Sequence, residues 1–157
     1  SDGLTALHVA VKAHGKLDSK ADCLVDSSEV IRLLVSHGAN LNPADGKSGK
    51  TPLMYAVEKR DLDLLIFLFG LAPVGKLRDM LNTQTFDGNT CLHIAAGLHR
   101  TLKFPLDSHL KLIRHLMHKG ADTTVKNNGR NCPRDCVSDK LNKQAIQDVL
   151  RGIQKGK

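Results

Sequence analysis

The sequence predicts an all-α solenoid, in which helix–turn–helix units with β-turn tips stack side by side and a C-terminal helix caps the stack. Three observations predict it. Aromatics are few, Tyr55, Phe67, Phe69, Phe86 and Phe104 with no Trp, while 41% of the 157 residues are apolar; a core of Leu, Ile, Val and Ala suits small helices in close contact. A block opening Asp2-Gly3-Leu4-Thr5-Ala6-Leu7-His8 returns as Ser48-Gly49-Lys50-Thr51-Pro52-Leu53-Met54 and as Asp87-Gly88-Asn89-Thr90-Cys91-Leu92-His93, with a degenerate copy at Asn128-Gly129-Arg130-Asn131-Cys132-Pro133-Arg134. A second block, Val30 to Asn40, returns as Leu112 to Asp122. Two blocks make one unit, and self-similarity at fixed spacing is the mark of a stacked array.

Each element follows from these blocks. The glycine permits a tight turn, and Thr5, Thr51 and Thr90 stand where a hydroxyl can cap the first helix. Leu7, Leu53 and Leu92 then face inward one turn before Ala10, Ala56 and Ala95. The second helix carries a Leu/Ile stripe and stops at Gly38 or Gly120, where a left-handed cap costs little. In this register Asn131 takes the threonine position of the last copy, Cys132 matches Cys91, and Cys136 matches the inward alanines. Units are expected at about residues 1–45, 46–85, 86–126 and 127–157 of a single array. Leu141, Ala145, Ile146, Val149, Leu150 and Ile153 recur at helical spacing and predict the closing helix, with Asn142, Lys143, Gln147, Asp148 and Arg151 on its outer face. The first helix has no such cover ahead of it, which predicts a piece of a longer array.

Lys plus Arg is 23 and Asp plus Glu is 16, a net charge of +7. That balance favours acidic proteins or nucleic acid as partners and says nothing of fold. The longest apolar run, Leu64 to Phe69, falls far short of the roughly 18 residues a membrane span needs. Ser1-Asp2-Gly3 opens directly into patterned sequence, so the four cysteines are expected in a reducing compartment.

These residues resemble the ankyrin repeat, through its Thr-Pro-Leu-His signature and Gly-Ala-Asp ending, over nearly the whole chain. The threonine spacings are 46 (5 to 51) and 39 (51 to 90), with 41 from Thr90 to Asn131, against about 33 for a plain unit. Insertions are therefore expected at Lys16–Asp26, Leu71–Leu81 and Thr101–Ser108, placed on loops. Within the repeat class, Lys47 to Leu53 preceded by Gly38-Ala39-Asn40-Leu41-Asn42, the Asp2 to Val11 opening, and Asp87-Gly88-Asn89-Thr90 running into His93-Ile94-Ala95-Ala96 are similar to the inhibitor-of-NF-κB family. The long first insertion, the Leu-His-Arg ending at Arg100, and the Val149 to Ile153 ending resemble its nuclear branch.

The residues themselves offer no reaction. His8 and His93 occupy a position that ties one repeat's turn to the next. His115 and His118 share a helix face without a third ligand at suitable spacing. Cys132 and Cys136 lack Cys-x-x-Cys spacing, and the exposed insertion makes Cys23 the candidate for a redox-sensing thiol. No nucleophile elbow, phosphate loop or kinase signature is present. The reading is a binding module and not an enzyme, with no cofactor, metal, small-molecule substrate or membrane partner.

What the family resemblance implies is a nuclear regulator that binds NF-κB/Rel-homology dimers and modulates transcription, with the DNA phosphate backbone as a further contact in a ternary complex and a cytoplasmic location as the alternative. Two other readings stay open: the C-terminal ankyrin half of a Rel precursor, or the targeting segment of an enzyme whose catalytic domain lies elsewhere. Candidate partner-binding residues are the exposed turn and first-helix positions Asp45, Lys47, Lys50, Glu58, Lys59, Arg60, Asn89, His99, Arg100 and Arg130.

Overall fold

The structure, a computed structural model, describes residues 5–14, 17–18, 23–24, 28–73, 75–98 and 105–152, with side chains at all of these except 17–18 and 23–24. Eight α-helices are found among them: α1 (Ala6–Ala13), α2 (Ser28–Ser36), α3 (Pro52–Glu58), α4 (Leu62–Leu71), α5 (Leu77–Leu81), α6 (Cys91–Ala96), α7 (Leu106–His118) and α8 (Lys143–Leu150). A 3-10 turn, η1, spans Pro133–Cys136. Helices α1, α3, α6 and η1 pack in sequence as an inner layer, and each is backed by its own outer helix, α2, α4, α7 or α8. This is the expected all-α solenoid of stacked pairs with a closing helix.

The inner layer forms because its apolar positions have nowhere else to go. Leu7, Leu53 and Leu92 are buried, as are Ala10, Ala56 and Ala95, and the small alanines let neighbouring helices approach. Burying each leucine contributes roughly 1.5–3 kcal/mol. The outer helices add Ile31, Leu64, Leu65, Leu68, Leu112, Ile113 and Leu116 to one continuous core. Helices α2 and α7 end as expected at glycines in the left-handed region, Gly38 at φ 87° and Gly120 at φ 113°. There Ala39 N donates to Leu34 O at 2.9 Å and Ala121 N to Leu116 O at 3.1 Å, satisfying carbonyls the helices leave open.

The signature histidines show why the units hold together. His8 Nδ1 accepts from the Thr5 backbone N–H at 3.1 Å and pairs with the Thr5 hydroxyl at 2.9 Å. With Nδ1 accepting, the proton sits on Nε2, which donates to Lys50 O of the next unit at 2.9 Å. His93 repeats the arrangement with Thr90 and with Asn131 O at 2.9 Å. The second unit carries Met54 instead. Thr51 N there reaches only Met54 Sδ at 3.5 Å, and Thr51 Oγ1 is buried without a hydrogen-bond partner. Of the three expected threonine caps only the first is made: Thr5 Oγ1 accepts from His8 N at 3.3 Å, whereas neither Thr51 nor Thr90 makes a side-chain cap hydrogen bond, Thr90 Oγ1 pairing with His93 Nδ1 at 2.9 Å instead. Met54→His should supply the missing acceptor and a donor toward Asn89 O, stabilising the chain by about 1 kcal/mol in chemical denaturation.

Several expectations need correction. The insertion at Leu71–Leu81 is not a plain loop: it contains α5, which sends Met80 and Leu81 into the core. The first insertion contains a two-residue antiparallel ladder, Leu17 opposite Leu24 and Asp18 opposite Cys23; the Cys23 side chain lies outside the described residues. Leu106, Asp107 and Ser108 belong to α7, because Pro105 serves as its N-cap. The closing helix starts at Lys143, leaving Leu141 85% exposed, and Asp148 is buried, accepting from Gln144 Nε2 at 2.8 Å, not displayed on the outer face.

The last copy is also shifted by one residue. Cys132, not Asn131, is the N-cap, Pro133 takes the first helical position, and Asp135 stands where His93 does, with Cys132 N donating to Asp135 Oδ2 at 3.0 Å. Cys132 thus aligns with Thr90, and Cys136 falls one position before the inward alanine. Cys91 is fully buried and its thiol is pushed up to about 12 by that burial, so it is an inert core residue. The shift has a backbone cause: Arg130, at φ 64°, occupies the left-handed site that Gly49 and Gly88 fill in the earlier turns, at φ 76° and 82°. A side chain costs energy there, so Arg130→Gly should raise stability by about 1 kcal/mol, read as a higher denaturation midpoint.

Candidate protein-binding surface

The turn tips and the exposed face of the inner helices form a ridged surface, with some tip side chains joining neighbouring units and others, such as Lys47 and Arg130, left exposed. Adjacent tips are bonded to each other: Phe86 N donates to Ser48 O at 3.0 Å and Asn128 N to Asp87 O at 2.9 Å. Each glycine in this ladder faces backbone. A Cβ on Gly49 would lie 2.9 Å from Phe86 N, and one on Gly88 would lie 2.7 Å from Asn128 N. The ridge is therefore a rigid row of turns with fixed spacing, suited to presenting side chains to another macromolecule.

The first of these turns is organised from inside by Asp45. Its Oδ1 accepts from Ser48 N at 2.6 Å, Gly49 N at 3.0 Å and Lys47 N at 3.1 Å, and its Oδ2 accepts a short bond from the Tyr55 hydroxyl. Burial pushes the carboxyl up, but the bonds from Tyr55, Ser48 and Gly49 outweigh it and hold Asp45 far below the usual carboxylate range. The Tyr55 hydroxyl is pushed up to about 12, by its own burial, then by its hydrogen bond to Asp45 and by the charge of that carboxylate. The sequence places Asp45 among the exposed partner contacts, but it is only 2% exposed and is instead the post on which the turn is built.

Around Tyr55 the surface is charged. Lys12 Nζ and Lys50 Nζ sit 5.1 and 5.7 Å from the ring centroid, at cation–π range. Lys50 also pairs with Glu58 Oε1 at 2.5 Å, and Lys59 Nζ donates to Lys12 O at 3.2 Å. The structure thus brings Lys50, Glu58 and Lys59 together on α3 and its entry, half-buried. Arg60 follows at φ 60°, with NH1 3.5 Å from Glu58 O. Lys47 and Arg130 are exposed on separate tips. Asn89 is engaged in the ladder, its Oδ1 accepting from Asn127 Nδ2 at 2.9 Å. His99 and Arg100 lie outside the described residues.

The residue that sequence reasoning missed is Phe86. It is 61% exposed on the ridge, where the preceding tip carries Lys47 and Ser48 and the following one Asn127 and Asn128. A lone aromatic beside a turn glycine, in a chain this poor in aromatics, was the available signal. No group of three or more His, Cys, Asp or Glu side chains that could hold a metal occurs among the described residues, and no described helix is long and apolar enough to cross a membrane.

Comparison with known proteins gives the same picture. Models described as "Ankyrin repeats (3 copies)" and "Ankyrin repeat" match residues 1–76 and 87–128. Human NF-kappa-B inhibitor zeta is 32% identical over 96% of this chain and 22% of its own length, and human B-cell lymphoma 3 protein 33% identical over 96% and 26%. The crystal structure of the ankyrin repeat domain of Bcl-3, a member of the IkappaB protein family, matches with a TM-score of 0.68 and 32% identity, over 96% of this chain and 53% of that one. This chain thus spans about a quarter of the two curated relatives and half of the solved domain. It belongs to the ankyrin-repeat family, and its similarity within that family is to the inhibitors of NF-κB.

Proposed function

We propose that this chain is the protein-binding module of a nuclear, inhibitor-of-NF-κB-like transcriptional regulator that engages a Rel-homology dimer through the turn-tip ridge and inner helices, without catalysing a reaction. The observation that carries the reading is the similarity over 96% of the chain to NF-kappa-B inhibitor zeta and to B-cell lymphoma 3 protein, the ankyrin domain of Bcl-3 being described as that of an IkappaB family member. The rigid ridge supports it by supplying an ordered surface with an aromatic, Phe86, among exposed Lys47 and Arg130. The net charge of +7 supports a module that stays on the dimer while DNA is held, because it adds an attractive field near phosphates.

The same reading takes the array as extending beyond its first unit. Val9, Val30 and Leu33 are 54%, 52% and 56% exposed, whereas Leu112, the counterpart of Val30, is buried under its neighbours.

Binding of a purified Rel dimer, with and without a κB-site duplex, tests the proposal. Wild-type chain should join the duplex-bound dimer, and Lys47→Glu with Arg130→Glu should weaken it about tenfold, at an unchanged melting temperature. A chain that strips the dimer from the duplex at ordinary salt, or a charge-reversed variant that binds as well as wild type, overturns it.

A further inference from the structure

The last pair of outer helices encloses a feature that the turn-tip reading does not use. Between α7 and α8 lies a cleft of about 560 Å³, within the range of small-ligand and peptide-anchor sites. Lys111, Arg114, His115 and His118 line it from α7, and Met117 and Val149 give it an apolar wall. None of the described lining residues is acidic.

An internal comparison shows that stacking does not require this charge. Counting back from the equivalent terminal glycines, Gly120 and Gly38, the α2 positions matching Lys111 and Arg114 are Glu29 and Arg32. In α2 those two neutralise each other, Arg32 NH1 lying 2.6 Å from Glu29 Oε1. In α7 both are cations, and neither makes an ion pair among the described residues. Likewise His115 and His118 stand where α2 has Leu33 and Ser36. The His115 ring stacks on Phe69 with centroids 5.5 Å apart, and its Nε2 is enclosed without a hydrogen-bond partner. Burial lowers the affinity of His115 for a proton, and Lys119, His118 and Lys111 lower it further by like-charge repulsion. An anion in the cleft relieves that repulsion.

The dimensions decide what kind of anion. A nucleic-acid duplex is a stiff rod with a charge every ~1.7 Å along its axis and needs a broad polar surface, not a small cleft with a methionine and valine wall. The residues after Gly152, Ile153-Gln154-Lys155-Gly156-Lys157, carry two lysines and no acid, so their charge does not match. We infer that the α7–α8 cleft is a docking site for a short acidic peptide segment of a partner protein, its carboxylates on Lys111 and Arg114 and one apolar side chain against Met117 and Val149. The cleft belongs to the outer layer, so it serves a partner other than the one on the turn tips.

A fluorescein-labelled peptide with a central leucine flanked by glutamates, titrated into the whole chain at physiological salt, tests this by anisotropy. Saturable binding is expected, weakened about tenfold by Lys111→Glu or Arg114→Glu and severalfold by replacing the peptide leucine with alanine. Both α7 side chains are exposed, so melting temperatures should match wild type. The imidazole resonances of His115 and His118 should move on binding, and excess duplex DNA should not displace the peptide. Absence of saturation, indifference to both α7 variants, displacement by the duplex, or sensitivity to Lys47→Glu instead would each overturn the assignment.

Discussion

Asp45→Ala is expected to cost about 3–4 kcal/mol, because it strips a buried carboxylate from several donors at once. Ser48, Gly49 and Lys47 backbone N–H groups and the Tyr55 hydroxyl all converge on that side chain, and alanine leaves the enclosed ones facing neither protein nor water. Asp45→Asn keeps the shape and one acceptor and should cost about half as much. The carboxyl's folded value is depressed relative to the ordinary 3.8, so its stabilisation is complete above about pH 5 and is lost as pH falls further. The gap in urea midpoint between wild type and Asp45→Asn should therefore be constant from pH 7 to about pH 5 and narrow progressively from there to pH 2. A constant gap across that range would mean that the charge contributes nothing. The loss should reach the surface too, since Lys50, Glu58 and the Tyr55 ring are held together at the same turn.

Gly88→Ala is expected to cost about 2–3 kcal/mol from two separate causes. The residue sits at φ 82°, where a side chain costs about 1 kcal/mol or more. The added Cβ would also lie 2.7 Å from Asn128 N and from Asn128 Oδ1, which must move. Since Asn128 N donates to Asp87 O and Asn128 Nδ2 to Phe86 O at 2.8 Å, the methyl pries apart the second and third tips. Gly38→Ala is the control: it has a similar φ of 87° but nothing within 4 Å of the new methyl, so it should pay only the backbone term. Equal losses at the two glycines would show that the tip ladder does not bear load.

What was legible in the residues was the repeat, because the features that define it are local. A glycine, a threonine three residues before a histidine, and a leucine followed one turn later by an alanine are sufficient to set a turn, a cap and an inward face. Their consequence across units, His8 to Lys50 O and His93 to Asn131 O, is what the resemblance to the ankyrin signature implies for its histidine. What was not legible were features decided by partners far along the chain. Asp45 looks like a surface turn residue until Tyr55, ten positions on, is seen to donate to it. The one-residue shift in the last unit is invisible because Asn128-Gly129 imitates the glycine turn, while the left-handed residue is Arg130. The insertion after α4 hides two core residues, Met80 and Leu81, in a five-residue helix that periodicity cannot detect.

The candidate surface divides along the same line. Lys47 and Arg130 were placed at tips by counting from the turn glycines, and they are exposed there. Asn89 was counted in the same way, yet its amide is committed to Asn127. Phe86 is not found by such a count, because the matching positions Lys47 and Asn128 of the neighbouring tips carry no aromatic.

Hydrogen–deuterium exchange of the whole chain, with and without a purified Rel-homology dimer, addresses the central claim most directly. Protection on binding should fall on residues 45–60, 85–90 and 127–131, the tips and inner-layer entries, and leave the outer helices α2, α4 and α7 unchanged. Protection confined to those outer helices, or none at saturating dimer, would contradict a binding surface built from stacked turns.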